Sequence, residues 1–119
     1  MGAQINLLQT HKTWYGRLEM CHTSCWLEDG GAVVDYLSTV KSWLDANTDQ
    51  VVTILLTNGD NLPVSTFGDA MVSSGIADYA YAPGQNLALD EWPTLGEFIN
   101  SGKRLIFFLG MLCLLSEAV

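Results

Sequence analysis

The chain has 119 residues, of which 49% are hydrophobic and 15% are charged, a composition that supports one domain with a buried core and excludes a disordered segment. Thirteen acidic residues against five basic ones give a formal net charge of −8. This balance argues against a nucleic-acid partner and against general attraction to anionic membranes, because both require a basic surface. The longest apolar run covers eleven residues, 105–115, whereas a membrane-spanning helix needs about 20, so no integral membrane segment is expected.

The first half of the chain predicts three strands and one helix. Residues 5–11 and 18–22 are short apolar runs that end in polar groups, as buried strands do. Residues 32–46 place their apolar side chains on one face at helical spacing, which predicts an amphipathic helix that ends at Asn47. Residues 51–56 form a continuous β-branched and apolar run, typical of a strand covered on both faces in a parallel sheet.

The second half continues the alternation of helices and strands. Residues 64–74 predict a weaker helix that stops at Gly75, and residues 79–81 a short strand before a loop at 82–93. Thr94 and Glu97 have the spacing of a capping box, which predicts a helix from there to Gly102. Residues 104–109 follow as another buried strand. The order predicts an α/β fold with about four to five mostly parallel strands.

Polar residues follow three of the predicted strands, at residues 9–11, 22–24 and 57–60. In parallel α/β folds, ligands bind beyond the carboxyl ends of the strands. The sequence therefore predicts that these three clusters converge on one edge of the sheet and form the functional site.

The cysteines leave alternatives open. Cys21 and Cys25 lie four residues apart, and Cys113 is alone near the end of the sequence. A disulfide between Cys21 and Cys25 is the favoured interpretation and implies an oxidising compartment. Free buried thiols are the second interpretation. A metal site is the third, although the chain lacks the second cluster of ligands that structural zinc sites show.

The sequence resembles the fungal phospholipase C-like phosphodiesterases over residues 2–109. The Cys-His-Thr-Ser-Cys cluster at 21–25, followed by the Trp-Leu-Asp-Ala-Asn helix at 43–47, carries most of the resemblance. Further matching segments are 29–31, 35–37, 51–58, 92–97 and 101–105. The resemblance implies part of a TIM-type (β/α) barrel related to the phosphatidylinositol-specific phospholipase C catalytic domain. Residues 110–119 do not match, so they are expected to form a divergent tail.

The resemblance also implies a pair of catalytic histidines. One histidine, the general base, activates an attacking hydroxyl, and the other, the general acid, protonates the leaving oxygen. His22 matches the general acid, and its alternative role is a buried histidine bonded to backbone. The base lies on a family strand that would precede Met1. Gln9, His11 and Asn58 are the predicted substrate-binding residues.

Two departures from the family bear on the chemistry. Gln4 stands where the family has an arginine, so a cationic partner for the substrate is missing. Calcium-dependent relatives carry carboxylates at positions that hold Leu7, Gln9 and Thr57 here. Because a hard divalent cation requires several oxygen ligands including carboxylates, no bound metal and no cofactor are expected. Asp60 is assigned to a turn.

The sequence thus predicts a fragment of a phosphoric diester hydrolase that acts on a small phosphodiester or a lipid headgroup and is inactive as an isolated chain. The alternative is a non-catalytic α/β module with a structural or binding role. The resemblance implies secretion, although the N-terminal residues lack the basic flank and apolar core of a signal peptide. Open sheet edges predict self-association of the chain.

Overall fold

The computed structural model describes residues 2–12, 18–21, 31–58 and 61–110. Within these ranges the chain forms four strands and three α-helices, with two short 3₁₀ turns at Ile76–Tyr79 and Leu89–Glu91. In chain order, the elements are β1 (Gly2–Lys12), β2 (Leu18–Cys21), α1 (Val33–Ala46), β3 (Gln50–Asn58), α2 (Val64–Ser74), α3 (Leu95–Ser101) and β4 (Leu105–Gly110). The fold is therefore α/β, as the alternation of apolar patterns predicts.

The four strands form one sheet in the order β2-β1-β3-β4. β3 is parallel to β1 on one side and to β4 on the other, as predicted, whereas β2 is antiparallel to β1. The reason is the length of the connection: residues 13–17 separate β1 from β2, and a parallel crossover needs about a dozen residues or more. The predicted strand at 79–81 is reduced to a single bridge between Ala80 and Leu105 on the outer side of β4.

One face of the sheet carries the hydrophobic core. Val52, Ile54 and Leu56 of β3 pack in one cluster with buried residues of α1 and α2. Of the alternate β3 residues, Thr53 and Leu55 are half-buried, whereas Val51 and Thr57 are buried. The run 51–56 predicts a strand covered on both faces, and within the described residues α1 and α2 cover one of them.

Arg104 closes the end of the sheet where β3 and β4 begin. Its side chain is 4% exposed, and its guanidinium donates to the carbonyl oxygens of Leu44 (2.8 Å), Asn47 (2.7 Å) and Gln50 (3.1 Å). These carbonyls belong to the last turn of α1, to its C-cap and to the start of β3. The carbonyls of Leu44 and Asn47 also accept long bonds of 3.3 Å from the N–H groups of Asn47 and Gln50, so Arg104 gives each of them a second, shorter bond. The Arg104 guanidinium thus joins α1, β3 and β4 at the amino ends of β3 and β4. The candidate site lies at the opposite end of the sheet, where these strands end.

Candidate functional site

The register of the sheet aligns the ends of the predicted site strands. Gln9 of β1 pairs with Thr57 of β3 on one side and with Cys21 of β2 on the other, and Thr57 pairs in turn with Gly110 of β4. β1 continues for two residues beyond its last pairing with β3, at Thr10–Asn58, and β2 returns antiparallel to it. The last residue of β2 therefore lies at the same level as Gln9 and Thr57, although it arrives from the opposite direction.

The hydrogen bond between Thr10 and Thr57 fixes the two central strands at this level. Thr10 is 5% exposed and Thr57 is 6% exposed, and the Thr10 hydroxyl donates to the Thr57 carbonyl oxygen at 2.5 Å. A buried hydroxyl without a partner costs about 1–3 kcal/mol, so this bond favours one relative position of β1 and β3. Thr10 belongs to the polar cluster at residues 9–11, but its bond to Thr57 was not predicted from the sequence.

Asn58 closes the loop that leaves β3. Its side-chain amide nitrogen donates to the Leu62 carbonyl at 2.8 Å, and its Oδ1 accepts from the Leu62 N–H at 2.8 Å. Asn58 is 6% exposed, and its own carbonyl accepts from the N–H of Asn61, whose φ of 52° is left-handed. The amide group thus sets the path of the chain from β3 into α2. Substrate binding by Asn58 stays a prediction.

The remaining predicted site residues are placed only in part. Gln9 and His11 lie in β1, where His11 pairs in register with Glu19 of β2, and their role in substrate binding stays a prediction. His22, the predicted general acid, lies outside the described residues and directly follows the last residue of β2 in the sequence. Asp60 also lies outside them. The predicted disulfide stays untested, because Cys25 lies outside the described residues as well.

The described ranges hold no group of three His, Cys, Asp or Glu residues that could bind a metal ion. At Thr57, where calcium-dependent relatives carry a carboxylate, the structure has a buried hydroxyl residue whose carbonyl accepts from Thr10. The absence of a bound metal stays a prediction.

A cluster of titratable groups lies at the other end of the sheet. The hydroxyl of Tyr79 donates to Asp45 Oδ1, and the Lys41 ammonium lies 2.9 Å from Asp45 Oδ2. The Tyr79 hydrogen bond and then the Lys41 hydrogen bond lower the pKa of the Asp45 carboxyl. The same bonds with Asp45 raise the pKa values of Tyr79 and Lys41. Shifted pKa values often mark active sites, but these groups are solvent-exposed and beside the amino end of β4, so we assign them to stability.

This cluster predicts a pH-dependent contribution to stability. Because folding lowers the pKa of Asp45, its contribution is present above the unfolded pKa of about 3.9 and is lost as pH falls through the folded value. Asp45→Asn should therefore lower the melting temperature at pH 7, and the difference from the original chain should vanish between about pH 4 and pH 2. Asp69→Asn, on the exposed side of α2, is the control. A difference that persists at pH 2 would show that Asp45 acts through packing.

The structure is an α/β domain in which the parallel strands β1 and β3 end in polar residues at one edge of the sheet, the position where α/β domains bind ligands. β2 is antiparallel to them, and the predicted polar cluster at 22–24 lies outside the described residues. A family model described as PI-PLC X 1 matches residues 1–117. The chain therefore belongs to the PI-PLC X domain family, as the resemblance to phospholipase C-like phosphodiesterases predicts.

Two fungal proteins are similar to the chain. It is 56% identical over 101 residues to the "PI-PLC X domain-containing protein 1" of Arthroderma benhamiae, a match that covers 84% of this chain and 33% of that protein. It is 41% identical over 109 residues to an "Uncharacterized secreted protein" of the same species, covering 91% of this chain and 24% of that protein. The chain thus spans about a third and a quarter of the lengths of these curated relatives. No solved structure is significantly similar to it.

In the described part of the chain, no helix has the length and apolar character needed to cross a membrane. A relative that is named a secreted protein agrees with the predicted secretion. The predicted domain boundary at residue 109 falls within the last residues of β4 and stays a prediction.

Proposed function

We infer that the chain is part of a TIM-type barrel of a phosphoric diester hydrolase, with the catalytic site at the carboxyl edge of the sheet. The observation that carries this proposal is the row of paired residues Cys21–Gln9–Thr57. In this row Cys21, the described residue that precedes His22 in the sequence, is level with Gln9 and Thr57, and this level supports the proposal. In parallel α/β barrels the chemistry occurs at this edge, and membership of the PI-PLC X domain family supports a phosphodiester substrate.

His22 is proposed to act as the general acid. An imidazole with an ordinary pKa near 6.5 carries a proton at mildly acidic to neutral pH and can transfer it to the departing alkoxide oxygen. The proton then bonds to that oxygen as the phosphorus–oxygen bond breaks. Gln9 and His11 are proposed to contact the phosphodiester from β1, and Asn58 to contact it from the loop after β3.

The general base is not accounted for by these 119 residues. The chain has two histidines, and the second, His11, pairs with Glu19 in the hairpin of β1 and β2 and does not lie on a preceding strand. Without a base, the attacking hydroxyl keeps its proton and is a weak nucleophile. We therefore propose that the isolated chain is nearly inactive, and that the substrate of a longer protein is a small phosphodiester or a lipid headgroup.

A non-catalytic module is the second candidate function. The side-chain amide of Asn58 makes both of its observed hydrogen bonds to the backbone of Leu62, an arrangement that maintains the loop whether or not substrate binds. The replacement of the family arginine by Gln4 points in the same direction.

A chromogenic phosphodiester distinguishes these proposals. We expect the 56% identical relative to hydrolyse it and this chain to be nearly inactive. Replacing the relative's counterpart of His22 with alanine should lower kcat by about 10²–10⁴-fold, the usual contribution of a general acid, and the same change at the counterpart of His11 should cost less. Robust turnover by the isolated chain that is abolished by His22→Ala would refute the proposed inactivity. An inactive relative would favour the non-catalytic module.

A further inference from the structure

The hairpin of β1 and β2 divides its residues between the two faces of the sheet. Thr10 pairs directly with Met20, and Met20 belongs to the core cluster that contains residues of α1, so this pair lies on the helix-covered face. Successive residues of a strand alternate between the two faces, and the register of the hairpin has no break. The next pair, His11 with Glu19, therefore lies on the other face.

The pairing of β1 with β3 gives the same division. Leu8 pairs with Leu56, a residue of the core cluster, whereas Gln9 pairs with Thr57 on the other face. In the barrel proposed above, the helices lie outside and this other face lines the interior. His11 is two residues beyond Gln9, at the carboxyl end of β1, which is the end where α/β barrels carry their catalytic sites.

The strands place one pair of opposite charges on the interior face. β3 and β4 contain no charged residue, and the titratable residues of β1 and β2 are His11, Lys12, Glu19 and Cys21. Lys12 follows His11 and so lies on the helix-covered face, where α1 and α2 also pack. The Cys21 thiol has an ordinary pKa of about 8.5 and is neutral below it. Among the strand residues, His11 is thus the one group on the interior face that can carry a positive charge, and Glu19 is the one carboxylate.

We propose that Glu19 is a positioning residue that keeps His11 protonated, so that His11 supplies the cation to which the phosphodiester binds; this inference rests on the proposed function. Directly opposed residues of an antiparallel pair have Cβ atoms about 4.5–5.5 Å apart, and an opposite charge at such a distance favours the charged form of an imidazole. A protonated imidazole has two N–H donors, so one remains for a phosphate oxygen when the other bonds to a carboxylate.

The charge of the chain and the local nature of the hairpin favour this role. A phosphodiester is an anion, whereas the chain has a formal net charge of −8, so binding requires a positive charge at the site itself. His11 and Glu19 pair within one hairpin. Their relation therefore does not depend on the strands that complete the barrel.

Two pH titrations test the proposal in a His22→Ala background, which leaves His11 as the single histidine of the chain. NMR measures the pKa of the imidazole and, by changes in the signals, the binding of dimethyl phosphate, a diester that keeps one negative charge at every pH used. Glu19→Gln should lower the pKa of His11 by about one unit and shift the loss of binding to lower pH by the same amount. Near pH 5, where His11 is largely protonated in both chains, Glu19→Gln should bind at least as tightly.

Two variants serve as controls. Glu19→Asp keeps the charge and should retain most of the difference in pKa. Asp69→Asn, on the exposed side of α2, removes a distant carboxylate and should leave both titrations unchanged.

An unchanged pKa of His11 in Glu19→Gln would overturn the proposal, and so would a loss of binding that is equal at every pH, because Glu19 would then act only on the structure. If the pKa falls as expected but dimethyl phosphate binds at no pH, His11 is not the substrate-binding cation, and the proposed phosphodiester site fails while the pairing of charges stands. Far-UV circular dichroism shows whether the variants fold. Should the His22→Ala background not fold, the same titrations in the original chain, with the two imidazole signals assigned by isotope-edited NMR, give the same support or contradiction.

Discussion

Replacing Arg104 with methionine is expected to lower the free energy of unfolding by about 3 kcal/mol. Hydrogen bonds from a charged donor contribute about 1.5–3 kcal/mol each, and the cost of removing the cation from water offsets part of their sum. The change removes the charged donor to the carbonyls of Leu44, Asn47 and Gln50. The carbonyls of Leu44 and Asn47 then keep only long bonds of 3.3 Å, from the N–H groups of Asn47 and Gln50. It also removes the cation that lies 4.8 Å above the Tyr79 ring. Urea unfolding followed by far-UV circular dichroism, at one fixed chain concentration, measures the loss.

Two variants test this interpretation of Arg104. Arg104→Lys keeps the charge but lacks the planar fork of donors, so it should recover only part of the loss. Lys103→Met, at the neighbouring exposed residue, removes one bond to the Asp78 carbonyl and should cost less than about 1 kcal/mol. If Arg104→Met is as stable as Lys103→Met, water satisfies the three carbonyls and Arg104 does not close this end of the sheet.

Truncating Phe67 to alanine is expected to cost about 3–5 kcal/mol, a large share of the stability of a small domain. Two residues of α2 are buried in the core, Phe67 and Ala70. Phe67 is the larger of the two and is 2% exposed. Its removal leaves a cavity between α2, α1 and β3 that these elements can fill only in part. Urea unfolding under the same conditions gives the difference in free energy.

A matched substitution on the other face of α2 provides the control. Val72 is 71% exposed, so Val72→Ala should change the free energy of unfolding by less than about 0.5 kcal/mol. Equal losses for Phe67→Ala and Val72→Ala would mean that α2 does not pack on the sheet through Phe67. The path from Asn58 through Leu62 into α2 would then need another anchor.

Elements with a strong local pattern were predictable from the sequence. Apolar spacing predicts a helix over 32–46, and α1 covers Val33–Ala46. The capping box is confirmed in both directions, since the Thr94 hydroxyl accepts from the Glu97 N–H and the Glu97 carboxylate accepts from the Thr94 N–H. The stop at Gly102 is also confirmed, because its φ of 76° is left-handed and glycine adopts that conformation without strain.

Relations between distant residues were not predictable in the same way. The direction of β2 does not appear in its apolar pattern, which is the same for parallel and antiparallel strands; only the short connection at 13–17 indicates it. The role of Arg104 depends on carbonyls 54 to 60 residues away. The bonds of Asn58 to Leu62 span four residues, but polar turn residues such as asparagine occur in many loops. The convergence of strand ends was predicted correctly for β1 and β3 because those strands are parallel.

The position of Arg104 in the sequence also has a consequence for the order in which the domain assembles. During synthesis, α1 and β3 leave the ribosome well before residue 104, which is 60 residues beyond its acceptor in α1. Until then the Leu44 carbonyl has only the long 3.3 Å bond from the Asn47 N–H. Closing so long a segment costs conformational entropy before its contacts form. Docking of β4 on β3 and completion of the end of α1 therefore occur together, as one late step that residues 1–103 cannot perform.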